Sequence, residues 1–484
     1  MSKKYEIVIG LEIHAQLSTD SKIFCACSTK FGNEPNSNIC PICTGQPGVL
    51  PTLNKKVVEF AVKTSIALNM KKIKGESIFS RKQYFYPDLP KDFQVSQYDK
   101  PLAEHGEIEI EVDHSPKKIG ITRIHLEEDA GKLVHVGSDR ITGSDFSLVD
   151  FNRTGVPLME IVSEPDIRSP EEAKLYVQEL AAILSYLGVC DAKMEEGSLR
   201  CDANISIRPV GQKEFGTRTE LKNVNSTKAL KDGLTAEVER QIEALESGEK
   251  IIQETRHYDE KTGKTIALRS KEEAHDYRYF PEPDLVPLVI SDAMIAEARK
   301  DIGELPQAKI KRYVEKLNLS AEAADTIVAG KDLAEFFEKC LKSSDKAAEL
   351  SNWIIGSVTA YLNEKKIGIG QSKLTPKKLV AMLNLIEKGT ISKKIAKDVI
   401  VQLLETEKSA EEIVKASGTT QISDESEIEK IIDEVLAKNA KSVADYKAGK
   451  ITAMGFLVGQ TMKATKGRAN PGLVNQLLQK KLSA

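Results

Sequence analysis

The stretch EIVIGLEIHAQL, residues 6–17, alternates apolar and polar side chains with the period of a β-strand. One face would carry the apolar side chains of Ile7, Ile9, Leu11, Ile13, Ala15 and Leu17. The opposite face would carry the side chains of Glu6, Glu12, His14 and Gln16. Because strands favour β-branched and aromatic residues, a carboxylate and an imidazole two residues apart indicate a task other than solvation. We interpret this strand as one wall of a metal or acid–base site, with a core behind it.

The same alternation recurs later in the chain, where we predict further strands of one sheet. Residues 119–129, 199–207 and 218–222 each place acids, bases or amides on one face. Residues 155–166, GVPLMEIVSEPD, add Glu160 within an apolar run, where a Glu is seldom buried unless it is paired or binds a metal. With few helices between them, these strands predict a mixed, largely antiparallel sheet curved round a polar cleft.

Helical signals flank these strands and dominate the second part of the chain. Residues 54–68 have a helical period, and a second helix is predicted to begin at Ser169-Pro170 and to end at Gly188. Residues 80–102 carry aromatics and prolines that break any regular period, so we predict an ordered loop there. After residue 292 only helical patterns remain, with predicted starts at Ser320 and Thr375.

These patterns and the length of 484 residues predict an α+β fold with three domains, at ~150 residues per domain. A β-rich cradle with a curved mixed sheet would occupy residues 1–292. An all-α domain would follow over residues 293–410, and a small helical tail over residues 411–484.

Composition and charge limit the classes of protein. The chain is 40% hydrophobic and 29% charged, which is typical of a globular protein with sizeable cores. It begins with a strand pattern rather than a signal peptide and has no apolar run of ~18 residues, so we expect a cytoplasmic protein without membrane spans. The net charge of −3 argues against indiscriminate coating of nucleic acid. Residues 441–484, however, hold eight Lys and Arg against one acid, Asp445, which suits either a phosphate-rich partner or a solvated helical surface.

Four of the seven cysteines lie close together in sequence, at Cys25, Cys27, Cys40 and Cys43. Two close pairs joined by a short loop have the spacing of a tetrahedral structural zinc site, which four thiolates would close completely. The alternative is four reduced thiols without metal. The other three cysteines are isolated and are predicted to be core residues.

The acids of the predicted strands define the candidate chemistry. The candidate ligands are Glu12, His14, Glu127, Glu160 and Asp202. Carboxylate oxygens favour Mg²⁺, Mn²⁺ or Ca²⁺, and one imidazole extends the choice towards Fe²⁺ or Zn²⁺. Candidates for lining a pocket for an anionic substrate lie in the predicted loop, although an aromatic loop packed on the core would use the same residue types. They are Arg81, Lys82, Tyr84, Tyr86 and Lys91.

Several enzyme classes lack their motifs here. Gly263-Lys264-Thr265 imitates the end of a P-loop, but the glycine required five residues before Gly263 is Tyr258. The chain contains neither H-E-x-x-H nor G-x-S-x-G. If ATP is used, a metal held by carboxylates would have to bind its phosphates.

Eight segments of the chain, in order, resemble the B subunits of tRNA-dependent amidotransferases (the GatB family). They are VIGLEIHAQL, YFYPDLPK, HLEEDAGK, SLVDFNRTGVPLMEIVSEPD, EEGSLRCDANIS, ELKNVNS, DYRYFPEPDL and AMGFLVGQTMKATKGRANP. The resemblance covers almost the whole chain. It implies a cradle, a helical domain and a YqeY-like tail that contacts tRNA, for which we take Lys463, Lys466 and Arg468 as candidates.

The resemblance also implies an activity. Such a subunit phosphorylates the carboxylate of Glu-tRNA(Gln), of Asp-tRNA(Asn) or of both with ATP and Mg²⁺, and ammonia then displaces the phosphate. The reaction is that of a carbon–nitrogen ligase with glutamine as amide donor. Ammonia comes from a GatA-type amidase subunit, and a small GatC-type subunit completes a heterotrimer. By motif match, Glu12, His14, Glu127, Glu160 and Asp202 would form the catalytic site, with His14, Glu127 and Glu160 on the magnesium ion. Further candidates, for binding phosphate, are Arg81, Lys82, Lys91 and Arg200. The cysteine knuckle occurs in only some members.

Two other functions remain open from the residues. The chain could be a non-catalytic tRNA-binding scaffold whose polar strand faces are structural. It could also be a free-standing metallohydrolase that uses the Glu and His residues on small substrates.

Overall fold

The structure is a computed structural model. It describes residues 4–73, 75–113, 115–137, 144–270, 277–417, 425–447, 450–465, 469 and 471–483. The chain divides into two compact units, Met1–Pro306 and Gln307–Ala484. The first unit extends past residue 292, the predicted end of the cradle.

The first unit is built on a large mixed sheet with helices on one face. Its strands are β1 (Tyr5–Gln16), β2 (Gly75–Gln83), β3 (Phe93–Lys100), β4 (Ala103–Val112), β5 (Ser115–Glu128), β6 (Lys132–Val136), β7 (Phe146–Asp150), β8 (Pro157–Ser163), β9 (Leu199–Pro209), β10 (Thr219–Val224), β11 (Glu254–Asp259), β12 (Lys264–Ser270), β13 (Phe280–Pro281) and β14 (Leu288–Ile290). Its helices are α1 (Lys55–Ala67), α2 (Pro170–Leu187), α3 (Thr227–Glu246) and α4 (Asp292–Lys300).

The opening strand lies in the middle of the main sheet. In the described residues the order is β12-β11-β10-β9-β1-β8-β5-β3-β2-β13, with β4 beside β5 and β14 beside β2. Neighbours pair antiparallel except β10 and β11. Strands β6 and β7 form a separate two-stranded sheet. The predicted mixed, largely antiparallel sheet is therefore confirmed.

Helices α1, α2 and α3 contribute to the core behind the sheet. The apolar face of β1 is buried, and Ile9, Ile13 and Ala15 are fully inaccessible to solvent. Helix α2 begins as predicted, with the Ser169 side chain accepting from an amide of the first turn, and ends at Gly188 in the left-handed conformation. Since α2 buries an apolar stripe in this core, the opposite face of the sheet is left for polar side chains.

The prediction of a loop over residues 80–102 is wrong for most of its length. Its beginning is the end of β2, and Phe93–Lys100 forms β3. The part between these strands, which carries Pro87 and Pro90, and the two residues after β3, which include Pro101, are irregular. Strands β2 and β3 pair with each other, and further pairing of β3 with β5 and of β2 with β13 extends the ladder that the aromatic composition concealed.

The second unit contains helices and no strand among its described residues, as predicted. Its α-helices are α5 (Pro306–Leu317), α6 (Ala321–Val328), α7 (Lys331–Leu341), α8 (Ala347–Trp353), α9 (Thr359–Lys365), α10 (Pro376–Glu387), α11 (Lys393–Glu405), α12 (Ala410–Ser417), α13 (Glu425–Lys438), α14 (Ala440–Lys447), α15 (Thr452–Ala464) and α16 (Pro471–Ser483). A π-helical turn, Ile354–Val358, joins α8 to α9, and a 3₁₀ turn spans Ile369–Gln371.

Helix caps explain the two predicted starts in this unit. Ser320 and Thr375, predicted as starts, cap α6 and α10 with their hydroxyl oxygens. The last four helices bury a cluster of their own, in which Ile428, Leu457 and Leu478 are fully inaccessible. Among the described residues, no helix has both the length and the apolar character needed to cross a membrane.

Candidate functional site

Strand register brings three of the predicted ligands together on the polar face of the sheet. His14 on β1 lies directly opposite Glu160 on β8, and β8 also pairs with β5, which carries Glu127. His14 Nε2 is 3.4 Å from Glu127 Oε1 and 3.3 Å from Glu160 Oε2. One ligand atom from each of the three residues lies within 4.8 Å of the other two. Two carboxylates and an imidazole at this spacing can hold a divalent cation of the magnesium or manganese type.

A second imidazole, that of the buried His125, contacts both carboxylates. His125, 1% exposed, places Nε2 3.3 Å from Glu160 Oε2 and 3.8 Å from Glu127 Oε2. Arg123 approaches the other oxygen of Glu160 at 3.5 Å. Metal-binding carboxylates are commonly oriented by such outer contacts. We therefore assign His125 and Arg123 to the orientation of Glu160.

The neighbouring charges shift the pKa values of both imidazoles and of Glu160. Burial disfavours the imidazolium of His14, but the hydrogen bond with Glu160 and the charge of Glu127 outweigh it and raise the pKa of His14. The same balance of burial against these two carboxylates raises the pKa of His125 to about 9. Although burial opposes ionisation, the two imidazoles hold the pKa of Glu160 well below its usual range. Without metal, protons shared with the imidazoles thus compensate the negative charge.

A second acidic group lies on the other side of β1. Glu12 is directly opposite Asp202 on β9, and Asp202 accepts from Lys222 Nζ at 2.9 Å. Lys222 also contacts Glu220 at 3.3 Å, while Asn204 donates to Glu12 at 2.9 Å. Burial, aided by the neighbouring carboxylates, raises the pKa of Glu12. Lys222 thus pairs with two of the three carboxylates of this group, whereas the trio beside it has no lysine of its own among the described contacts.

Both groups open into one cleft with a volume of about 1050 Å³. The cleft contains the five predicted catalytic residues and also the predicted substrate-binding residues Lys82 and Arg200. Lys82 Nζ lies 4.8 Å from the ring centre of Tyr277. Arg200 donates to the buried Asp129 at 3.1 Å, which fixes its guanidinium at the edge of the cleft. Acids, cations and tyrosines around one opening make a site for a polyanion bound through a metal.

The structure places the other two predicted substrate-binding residues elsewhere. Arg81 makes two hydrogen bonds of 2.7 Å with Glu282, and Lys91 forms an ion pair with Glu128. Both line a separate cavity of about 240 Å³, whose wall also includes Cys43. Arg81 and Lys91 therefore do not lie among the residues that line the large cleft.

The four cysteines of the knuckle converge. One Sγ from each of Cys25, Cys27, Cys40 and Cys43 lies within 4.8 Å of the others. The hydrogen bond from Cys25, against the effect of burial, lowers the pKa of Cys43 to about 4, and the Cys40 amide and the charge of Lys22 act in the same direction. Four convergent sulfurs, one of them stabilised as a thiolate, fit a tetrahedral zinc ion.

The predicted tRNA-binding residues can be located only in part. Lys463 is exposed on α15. Lys466 and Arg468 lie outside the described residues.

Several cleft residues had no role in the sequence prediction. They are Arg123, His125, Asp129, Glu220, Lys222, Tyr98, Tyr277 and Tyr279. Most stand on the polar face of alternating stretches, so the period alone could have marked them. The period does not show which residues of the neighbouring strands each side chain contacts.

Comparison with known proteins identifies the family of the chain. Residues 7–296 match the family described as the GatB/GatE catalytic domain, and residues 335–482 match the GatB domain of YqeY type. Proteins named as the B subunit of an aspartyl/glutamyl-tRNA(Asn/Gln) amidotransferase are similar over the full length. The protein from Carboxydothermus hydrogenoformans is 55% identical over 481 residues, covering 99% of each chain. That from Geobacter sulfurreducens is 54% identical over 478 residues, again covering 99% of each. The chain therefore belongs to the GatB family.

Proposed function

We propose that this chain is the B subunit of a tRNA-dependent amidotransferase that activates the side-chain carboxylate of Glu-tRNA(Gln), Asp-tRNA(Asn) or both. The observation that carries the proposal is the convergence of His14, Glu127 and Glu160 in a cleft large enough for a nucleotide and an acyl group. The names of relatives about 55% identical over the whole chain supply the substrate class. The reaction would be that of a carbon–nitrogen ligase that takes its amide nitrogen from glutamine.

A carboxylate is a poor electrophile, so amide formation requires a leaving group on the acyl carbon. A bound Mg²⁺ would supply neutralisation of the charge that develops during phosphoryl transfer from ATP. The trio of His14, Glu127 and Glu160 would hold the ion. Arg200, fixed by Asp129, and Lys82 present positive charge to the anionic substrates. Glu12 and Asp202 would act beside the trio, with Lys222 limiting the repulsion of incoming phosphates.

Ammonia would then displace phosphate from the activated acyl group. The chain carries no amidase signature of its own, and its relatives are named as one subunit of an amidotransferase. We therefore propose a GatA-type amidase and a small GatC-type subunit as partners in a heterotrimer. Because the proposed function belongs to translation, we assign this assembly to the cytoplasm.

The zinc site and the basic tail complete the proposal. The four-cysteine knuckle would hold a structural zinc ion, closed because all four positions are thiolates. The tail would bind tRNA phosphates through exposed lysines such as Lys463, together with Lys466 and Arg468.

The test is ATP hydrolysis by the chain purified with its co-expressed partners, with and without Glu-tRNA(Gln). We expect turnover that requires both the charged tRNA and a divalent ion, and that falls at least 100-fold in Glu127→Gln. The matched control is Glu214→Gln, an exposed glutamate outside the cleft. Turnover indifferent to tRNA would refute the substrate assignment. Unchanged tRNA binding with no turnover in any preparation would favour a scaffold, and turnover of small substrates without tRNA would favour a hydrolase.

A further inference from the structure

A fully buried lysine lies beside the four-cysteine knuckle. Lys22 is 0% exposed, although lysine is almost never buried without a charged partner. Its Nζ lies 3.6 Å from Cys43 Sγ and 3.3 Å from the carbonyl oxygen of Phe151. Among the described residues no carboxylate pairs with it, and the nearby carboxylate of Glu128 is taken by Lys91. A buried ammonium without an anion would destabilise the fold by several kcal/mol.

The backbone fixes this lysine between the knuckle and the sheet. The amide of Lys22 donates to the carbonyl of Cys27 at 3.0 Å, and the next amide, of Ile23, donates to Gly155 at 2.9 Å. These two hydrogen bonds fix the main chain at Lys22, and the contacts of Nζ with Cys43 and Phe151 fix the end of the side chain. Its position does not depend on a flexible surface rotamer.

Cys43 is the least solvent-exposed of the four cysteines. It is 4% exposed, while Cys25, Cys27 and Cys40 are only partly buried. Its Sγ accepts from the Cys40 amide at 3.2 Å in addition to the contact with Lys22. A zinc ion with four thiolates carries a net charge of −2, which a buried environment must balance. The positive charge of the Lys22 ammonium would balance part of this negative charge, and the Cys43 thiolate would give the ammonium its anionic partner.

We propose that Lys22 is the fixed counter-charge of the four-cysteine centre, donating through Nζ to the Cys43 thiolate. The proposal rests on the zinc site and not on the amidotransferase reaction. Lys22 is a positioning residue here: it orients and stabilises one ligand without binding the metal. Removing its charge should weaken zinc binding by 10- to 100-fold, the usual effect of losing an outer contact of a metal ligand.

The experiment compares zinc release from the full-length chain into a chromogenic chelator for the wild type, Lys22→Met and Lys22→Arg. We expect release at least 10-fold faster from Lys22→Met, and release near the wild-type rate from Lys22→Arg, which keeps the charge. The matched control is Lys30→Met, an exposed lysine on the same loop. Equal release rates for Lys22→Met and the wild type would overturn the proposal.

A spectroscopic readout separates this function from a purely structural one. In the Co²⁺-substituted protein, loss of the ammonium should move the thiolate-to-cobalt charge-transfer band of Lys22→Met to lower energy, whereas a packing defect leaves the band in place. If Lys22→Met does not fold, Lys22→Gln, which keeps a donor without the charge, should show an intermediate shift. An unshifted band in a folded charge-free variant, or a chain that takes up neither Zn²⁺ nor Co²⁺, would refute the proposal. Neither readout uses catalysis, so failure of the amidotransferase proposal would be seen separately.

Discussion

The replacement Glu160→Gln tests the centre of the cleft with a change that preserves shape and removes one charge. Glu160 Oε2 lies 3.3 Å from both imidazole Nε2 atoms. At an effective dielectric constant of 20, a unit charge pair at this distance attracts by about 5 kcal/mol, before desolvation is subtracted. The same carboxylate would supply one of three ligands to the metal. We therefore expect the replacement to lower both the affinity for the metal and the stability of the metal-free protein.

For the metal, we expect the affinity to fall by about 100-fold or more, since even an outer contact of a ligand is worth about 10- to 100-fold. The assay is a titration of the EDTA-treated, dialysed protein with Mn²⁺, followed by electron paramagnetic resonance of the free ion. Glu214→Gln, on the exposed surface, serves as the control. An affinity for Glu160→Gln within threefold of the wild type would refute our assignment of this carboxylate as a ligand.

For the metal-free protein, the loss of stability should depend on pH in a defined direction. The folded pKa of His125 is raised from 6.5 to about 9. Its contribution to stability, about 3 kcal/mol from a shift of this size, is thus fully present below pH 6.5 and disappears as the pH rises through 9. Glu160→Gln should consequently destabilise the fold most near pH 6 and least above pH 9, as measured by urea denaturation with far-UV circular dichroism. A destabilisation that grows with pH would contradict the charge balance described above.

Two further predictions concern residues outside the catalytic group. Replacing Lys463, Lys466 and Arg468 together by Ala should weaken tRNA binding and lower the slope of log affinity against log salt by about three, because each lost phosphate contact releases about one counterion fewer. An exposed lysine of the first unit, Lys55→Ala, is the control, and an unchanged slope would remove the tail from the tRNA interface. Glu237→Ala should destabilise the first unit by about 3–5 kcal/mol, because the buried carboxylate holds Arg240, Thr219 and Thr265 at 2.7–2.8 Å. Against the effect of burial, hydrogen bonds from Arg240, Gln241 and Thr265 lower the pKa of Glu237, so this loss should shrink as the pH falls below 4.5. Urea denaturation at pH 7 and pH 4 measures both, and equal losses at the two values would refute the argument.

The sequence predicts a strand face better than it predicts the neighbour of that face. Alternation placed His14 on the polar face of its strand, and the apolar run around Glu160 indicated a paired or metal-bound carboxylate. The structure places the two residues directly opposite each other. Period two fixes the face of every residue, which is why the large sheet and the polar cleft could be predicted. It does not fix which charges pair across long separations in the chain. Arg81 illustrates the limit, because its partner Glu282 lies 201 residues away.

Irregular composition concealed part of the fold for a related reason. Strands β2 and β3 carry lysines and glutamines, and the tyrosines and prolines between them suggested one continuous loop. The two strands pair with each other across this stretch, and their outer neighbours β5 and β13 are distant in sequence. Propensity in a strand is largely a measure of packing on neighbours, so a strand whose neighbours are unknown is easily missed.

The register of the opening strand gives each of the two acidic groups in the cleft its own positively charged neighbours. Glu12 and His14 are two residues apart on the same face, which separates their positions by about 7 Å along β1. Register gives Glu12 the carboxylate of Asp202 as neighbour, with Lys222 to balance it, and gives His14 the carboxylate of Glu160. The negative charge is thus divided into one group partly balanced by a lysine and one balanced by imidazoles. Imidazoles can release their protons to make room for a metal, whereas the lysine keeps its charge. A cation is therefore expected at the trio beside His14 rather than at Asp202, and Lys222→Met should create a second, weaker Mn²⁺ site that the wild type lacks.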